Sequence, residues 1–206
     1  MSPTGLRERK KQKTKEAIQR EAMRLFQEHG YDETTIEQIA DAAEISPSTF
    51  FNYFPTKEDV VLFDRYDPMM VSLLLERPND EPPSVVLKRA MEGLAVALED
   101  DGDIILARAK LGLQTPALRA RFWEELERAR DLFCGIIAGW TGRDAQDFEL
   151  RIVSMVLVTT AFEASQEWIR RDGRGSMFDL VNEAFDAVQI GQRLDALMTA
   201  SPTRAN

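Results

Sequence analysis

Residues 35–54, TIEQIADAAEISPSTFFNYF, constrain the fold more than any other stretch of the chain. Small and branched apolar residues fall here at offsets that suit two short helices crossing steeply around a small core. Thr34 or Thr35 caps the first helix, whose inner face carries Ile36, Ile39, Ala40 and Ala43. Ala40 is small enough to let a second helix approach, Ile45 plugs the turn, and Phe50 and Phe54 anchor the second helix. Ser46 caps that helix and Pro47 takes its first position, where a missing N–H is no loss. Ser46, Pro47, Ser48, Thr49, Phe51, Asn52 and Tyr53 are left near the free end or face, the part of a helix-turn-helix that enters a major groove.

The remainder also reads as helical. No run of alternating apolar and polar residues is long enough for a strand, and an all-α fold of about nine helices is expected. The first helix runs from about Thr14 to His29, with Ile18, Ala22, Leu25 and Phe26 on one face and Gly30 as its stop. Thr56, with Asp59 three residues on, opens a fourth helix that reaches Glu76 with a kink at Pro68. After the linker RPNDEPP, helices are expected near 84–99, 103–113, 116–139, 144–171 and 176–198. The natural division is a compact unit over 1–55 and a larger helical body over 56–206.

The formal net charge of -9 would argue against a nucleic-acid partner if it were evenly spread. It is not. Residues 1–24 hold eight basic side chains against three acids, a net of +5, and the other residues carry -14. One cysteine excludes an internal disulfide and points to a reducing, cytoplasmic setting. With a single histidine it leaves no Cys/His cluster for zinc, so no metal or cofactor is expected. Apolar runs are short and MSPTGLRERKKQK has no apolar centre, so neither a membrane span nor a signal peptide is expected. The chain has no P-loop, G-x-G-x-x-G, G-x-S-x-G or H-E-x-x-H pattern, and His29 alone cannot supply the two E-x-x-H motifs of a di-iron bundle. An enzyme is the weaker class.

From Lys13 to Val61 the sequence resembles the TetR family of transcriptional regulators. It has an opening helix ending LFQEHGY, then TTIEQIADAAEIS, then STFFNYFPTKEDVV. The aromatic-rich recognition helix followed by F-P-x-K-E is a specific signature, and the match covers roughly a quarter of the chain. The resemblance implies a three-helix DNA-binding domain and a C-terminal domain for a small effector. It also implies a homodimer on a palindromic operator in double-stranded DNA. By motif position, Thr35 would bond a phosphate, and Ser46, Pro47, Ser48 and Thr49 would face base edges. Phe51, Asn52 and Tyr53 would lie on sugar-phosphate or bases, and Lys57 would reach a phosphate.

Three departures stand out. Glu44 occupies the turn where the family often has Gly, a left-handed position that costs a side chain about 1 kcal/mol, so a slightly different turn is expected. Pro47-Ser48 replaces the commoner Arg/Lys and Gly, and Asn52-Tyr53 the frequent Tyr-His, so base preference does not carry over. The basic arm before the first helix, with Arg9, Lys10, Lys11 and Lys13, is expected to lie along phosphates or enter a neighbouring minor groove.

The 144–171 helix is apolar over much of its circumference and the last helix carries two apolar stripes, one more than a surface helix needs. An isologous four-helix dimer is therefore expected, with Val153, Leu157, Leu180, Ala184, Ala187, Gly191 and Leu194 at its interface. Candidate effector contacts are Met91, Phe122, Trp123, Met155 and Phe162, with Phe133 and Trp168 nearby, although such residues are more often ordinary core. Arg108 either offers a cation to an acidic ligand or is a surface Arg whose stem lies along the protein. The stretch RAKLGLQTPALRARF also looks like the subgroup with an acyl-CoA-like ligand domain, which implies a fatty acyl or acyl-CoA effector. An adaptor that kept the hairpin but lost DNA binding stays open, because the recognition helix has no Arg or Lys. Repressor rather than activator is an expectation by analogy.

Overall fold

The computed structural model describes residues 3–78, 80–98 and 101–199 and places eleven helices and no strand among them. They are α1 (Pro3–His29), α2 (Ile36–Ala42), α3 (Pro47–Tyr53), α4 (Lys57–Leu62), α5 (Asp67–Leu75), α6 (Pro83–Leu98), α7 (Gly102–Gln114), α8 (Pro116–Thr141), α9 (Phe148–Arg170), α10 (Met177–Ala187) and α11 (Ile190–Thr199). The chain divides into two compact units, one of residues up to Arg65 plus Ala107–Ala120, the other of Tyr66–Leu106 and the residues from Arg121 onward. The division falls inside α7 and inside α8, and α4 belongs with the helix-turn-helix.

In the first unit Ile18, Ala22 and Phe26 of α1 bury against Ile39 and Ala40 of α2, Phe50 of α3, Val60 and Val61 of α4, and Leu118 of α8. Thr35 caps α2 with a full capping box, its N–H donating to Gln38 Oε1 at 2.8 Å and its hydroxyl oxygen accepting from the Gln38 N–H at 3.2 Å. Ser46 caps α3 by accepting the Thr49 N–H, with Pro47 in the first turn. The turn keeps the left-handed form that Glu44 was expected to disturb. Glu44 has φ 55°, its N–H donates to Asp41, and the Ile45 N–H reaches back to the Ala40 carbonyl.

Helix boundaries differ most from the sequence expectation at α1, at α4–α5 and at α10–α11, and α9 starts at Phe148 rather than near 144. α1 starts at Pro3 rather than near Thr14, because RERKKQKTKE consists largely of good helix formers. The expected fourth helix ends at Leu62 with Phe63 as its cap, and Pro68 lies in the first turn of α5 instead of kinking α4. The last expected helix is two, divided at Gln189, a left-handed residue with φ 55° and no Gly or Pro beside it.

The second unit is held by Leu74 of α5, Val86 and Ala90 of α6, Ile136 and Ile137 of α8, Leu150, Val153 and Leu157 of α9, and Val181, Phe185, Ile190 and Leu194 of α10 and α11. Asp195 of α11 accepts from the Ser84 N–H at 2.9 Å and the Ser84 hydroxyl at 2.6 Å, satisfying an orphan donor in the first turn of α6. Gly191 faces the same spot, where an added Cβ would lie 3.2 Å from Ser84 Cβ.

Candidate functional site

In α3 the fully buried Phe50 leaves Pro47, Ser48, Phe51 and Asn52 exposed on one contiguous face, with Thr49 and Tyr53 half-buried at its edges. Phe51 is 51% exposed, an unusual position for an aromatic ring unless something else covers it. Ser46 Oγ lies 2.9 Å from Ser48 Oγ and 2.8 Å from Thr49 Oγ1, so three hydroxyls cluster at the helix start. Their rotatable protons suit phosphate oxygens or base acceptors alike. Thr35 is exposed at the cap of α2, with its hydroxyl proton not used by the capping box.

The loop before α2 is tied to α4. Lys57 Nζ donates to the Tyr31 carbonyl at 2.6 Å and the Thr34 carbonyl at 3.1 Å, and sits 4.3 Å from the Tyr31 ring centroid. Lys57 therefore positions the α1–α2 loop, with one of its three N–H donors left for the phosphate contact expected of it. The Tyr31 hydroxyl donates to Glu58 at 2.8 Å. Burial and the Glu58 carboxylate push that hydroxyl well above its ordinary titration range. Burial works to raise the Glu58 carboxyl as well, but its own backbone N–H, Tyr31 and Thr56 outweigh it and hold the carboxyl below its usual value.

Arg9, Lys10, Lys11 and Lys13 are exposed. They do not form an arm that precedes the first helix; they lie on α1 itself.

Arg108 is committed inside the first unit. Nη1 donates to the Phe63 carbonyl at 2.5 Å and Nη2 to Asp64 Oδ2 at 2.6 Å. Its side chain is 18% exposed and does not line the apolar cavity of the second unit.

Among the described residues of the second unit, an apolar cavity of about 480 Å³ is lined by Ala95 and Val96 of α6, Gly102 and Ile105 of α7, Trp168 of α9, and Gly175, Ser176, Met177 and Phe178 at the start of α10. The Trp168 indole N–H donates to the Gly175 carbonyl at 3.0 Å, fixing one wall. Of the aromatic and methionine positions singled out from sequence, only Trp168 lines this cavity. Met91 is in the core, Phe122 and Phe162 pack on each other with ring centroids 5.4 Å apart, Met155 is half-buried, and Trp123 is 61% exposed. The lining was hidden because small residues at helix ends make the space. The glycines of DGRGS before α10 were the available signal.

The residues expected at a subunit interface are also divided. Val153, Leu157 and Leu194 are buried in the unit's own core. Leu180, Ala184 and Gly191 are half-buried, and Ala187 is exposed. The outer face of α9 instead presents Phe148, 74% exposed, and Ile152, 49% exposed. Among the described residues no group of three or more His, Cys, Asp or Glu side chains could hold a metal ion, and no helix is long and apolar enough to cross a membrane.

An exposed recognition helix set by a two-helix core, in a chain whose other unit is a helical body, defines a helix-turn-helix DNA-binding regulator. Residues 18–62 match the family described as bacterial regulatory proteins, tetR family, and residues 81–193 match the MftR C-terminal domain. The chain belongs to the TetR family of transcriptional regulators, which are usually ligand-responsive repressors. It is 34% identical over 176 residues to the transcriptional regulator TcmR of Streptomyces glaucescens, covering 81% of this chain and 78% of TcmR. It is 26% identical over 189 residues to the mycofactocin biosynthesis regulator MftR of Mycobacterium tuberculosis, covering 89% and 93%. The structure is similar to that of the Thermus thermophilus FadR repressor in complex with lauroyl-CoA, with a TM-score of 0.57 and 28% identity over 93% of this chain and all of that one.

Proposed function

We propose that this protein is a homodimeric repressor that occupies a palindromic operator and is released by a small apolar effector. The observation that carries the reading is the exposed α3 face of Pro47, Ser48, Phe51 and Asn52, which stays open to solvent although Ser48 bonds Ser46 and the Phe51 ring edges onto Phe50. One helix of seven residues reads few base pairs, so two related by a dyad, about 34–36 Å apart or a multiple of that, give the needed specificity. The cavity supports an effector with an apolar body, since its described lining carries no charged side chain. The likeness to a FadR that binds lauroyl-CoA favours an acyl chain in that role.

A gel-shift titration with the DNA flanking the protein's own gene, with and without lauroyl-CoA, tests both halves. Sequence-specific retardation relieved by the ligand is expected, and Ala95→Trp, which fills the cavity, is expected to keep retardation and lose relief. Retardation without relief by lauroyl-CoA refutes the acyl effector alone. Failure of all candidate palindromes to shift would leave a helical adaptor, consistent with an α3 that has no Arg or Lys.

A further inference from the structure

The face of α1 that is buried downstream turns basic upstream. At 100° per residue, Arg7, Lys11 and Lys15 fall on the stripe that continues as Ile18, Ala22 and Leu25. Ile18 and Ala22 are fully buried, whereas Arg7 and Lys11 are exposed. A stripe built to pack on protein continues apolar. This one changes to cations where α1 leaves the core, which suits an anionic surface. Lys15 marks the changeover, its ammonium 5.3 Å from the Phe54 ring and 4.8 Å from the Phe63 ring. Phe54 is the C-cap of recognition helix α3. Lys11 and Arg7 follow about 6 and 12 Å farther along the axis, at 1.5 Å per residue. Arg9 and Lys13 lie on the opposite side of the helix.

We infer that the first turns of α1 are a rigid basic strut whose Arg7–Lys11 stripe, running out from the end of α3, lies along the DNA sugar-phosphate backbone beside the half-site. A helix about 10–12 Å wide does not enter a minor groove about 6 Å wide, so the contacts are to phosphates and carry no base preference. The inference rests on the proposed DNA-binding reading and names the phosphate-contacting part of that surface.

The test is a salt titration of the full chain on two duplexes, one of alternating A·T and one of alternating G·C, from roughly 50 to 200 mM NaCl. Arg7→Gln/Lys11→Gln is expected to flatten the log–log salt slope by about 1.8 per bound subunit, equally on both duplexes. Arg9→Gln/Lys13→Gln is expected to flatten it less. Gln12→Pro keeps every charge but breaks the strut between the stripe and the core, and is expected to flatten the slope as the first pair does. An unchanged slope for Arg7→Gln/Lys11→Gln, equal losses from the two pairs, or a loss confined to the A·T duplex overturns the strut. A wild-type slope in Gln12→Pro does the same by showing that a flexible arm suffices. A wild-type chain that binds neither duplex at the lowest salt overturns the DNA-binding reading itself.

Discussion

The guanidinium of Arg108 bonds the Asp64 carboxylate at 2.6 Å while its other terminal nitrogen donates to the neighbouring Phe63 carbonyl at 2.5 Å. Gln19 of α1 donates to the same Phe63 carbonyl at 2.7 Å and to that of Val60 at 2.8 Å. The carbonyls that a helix C-terminus leaves orphaned are thus satisfied from α1 and α7. At the other end of α4, Lys57 holds the loop that leads into Thr35. The six-residue α4 is a crosspiece that sets the helix-turn-helix against the rest of its unit.

Removing Arg108 therefore loosens the crosspiece. Arg108→Ala is expected to cost about 1–2 kcal/mol, the value of a charge-assisted bond discounted for a partly exposed pair. Arg108→Lys recovers part of this, since an ammonium does not span the fork. Urea unfolding together with duplex titration checks it. A wild-type midpoint in Arg108→Ala would show that these contacts are idle.

At Glu44 the backbone has the left-handed φ of 55° with an exposed side chain. Glycine adopts that conformation without the Cβ clash, so Glu44→Gly is expected to raise stability by about 0.5–1 kcal/mol and leave DNA affinity unchanged. The denaturant midpoint is the measurement, and a fall in it would mean that the Glu44 side chain makes a contribution larger than the strain.

Much of the first unit was legible because its signals are local. Ser46-Pro47 and Thr56-x-x-Asp59 announce helix starts, and Ile39, Ala40 and Phe50 reach the core as their spacing required. Glu44 took the left-handed turn because the two flanking helices fix the backbone there, overriding a preference worth about 1 kcal/mol. Features set by contacts distant in sequence were harder to read. Arg108 looks like a pocket cation in sequence only because Phe63 and Asp64, more than forty positions away, are invisible to local reasoning. Nothing at Val188-Gln189 marks the break between α10 and α11, and Gly191, which resembles a subunit contact, meets Ser84 of its own unit. The cavity lies between elements distant in sequence, and an aromatic count points elsewhere.

Arg143, with a side chain only 2% exposed, is held by Asp147 at 2.8 Å and Glu149 at 2.9 Å. Asp147 also caps α9, accepting from the Glu149 and Leu150 N–H groups. Its hydrogen bond to Arg143 outweighs burial and, with those backbone bonds, holds the carboxyl below its usual value. A depressed carboxyl contributes stability that is complete above the unfolded pKa of about 3.9 and is lost as pH falls through the folded value. Asp147→Asn keeps the cap and removes the charge, so a deficit of about 1–2 kcal/mol is expected at neutral pH. That deficit is expected to shrink as pH drops below about 4. Parallel unfolding curves across pH check it, and a deficit constant down to the acid limit would refute the ion pair as its source.

The outer face of α9 makes the sharpest test of the proposed dimer. Phe148 and Ile152 lie one turn apart and are exposed, while Val153 and Leu157 on the same helix are spent in the core. Adjacent exposed apolar side chains on a helix whose other face is already buried are a surface that a second subunit can cover. A charge placed there would be desolvated on association, which the subunit does not suffer alone. Ile152→Asp is therefore expected to leave thermal unfolding of the isolated chain near wild type while driving the sedimentation mass from about twice 23.4 kDa to the single-chain value. Operator affinity falls with it, because one recognition helix loses its partner. A variant that still sediments as a dimer would place the interface elsewhere, and a wild type that sediments near 23.4 kDa at micromolar concentration would remove the dimer altogether.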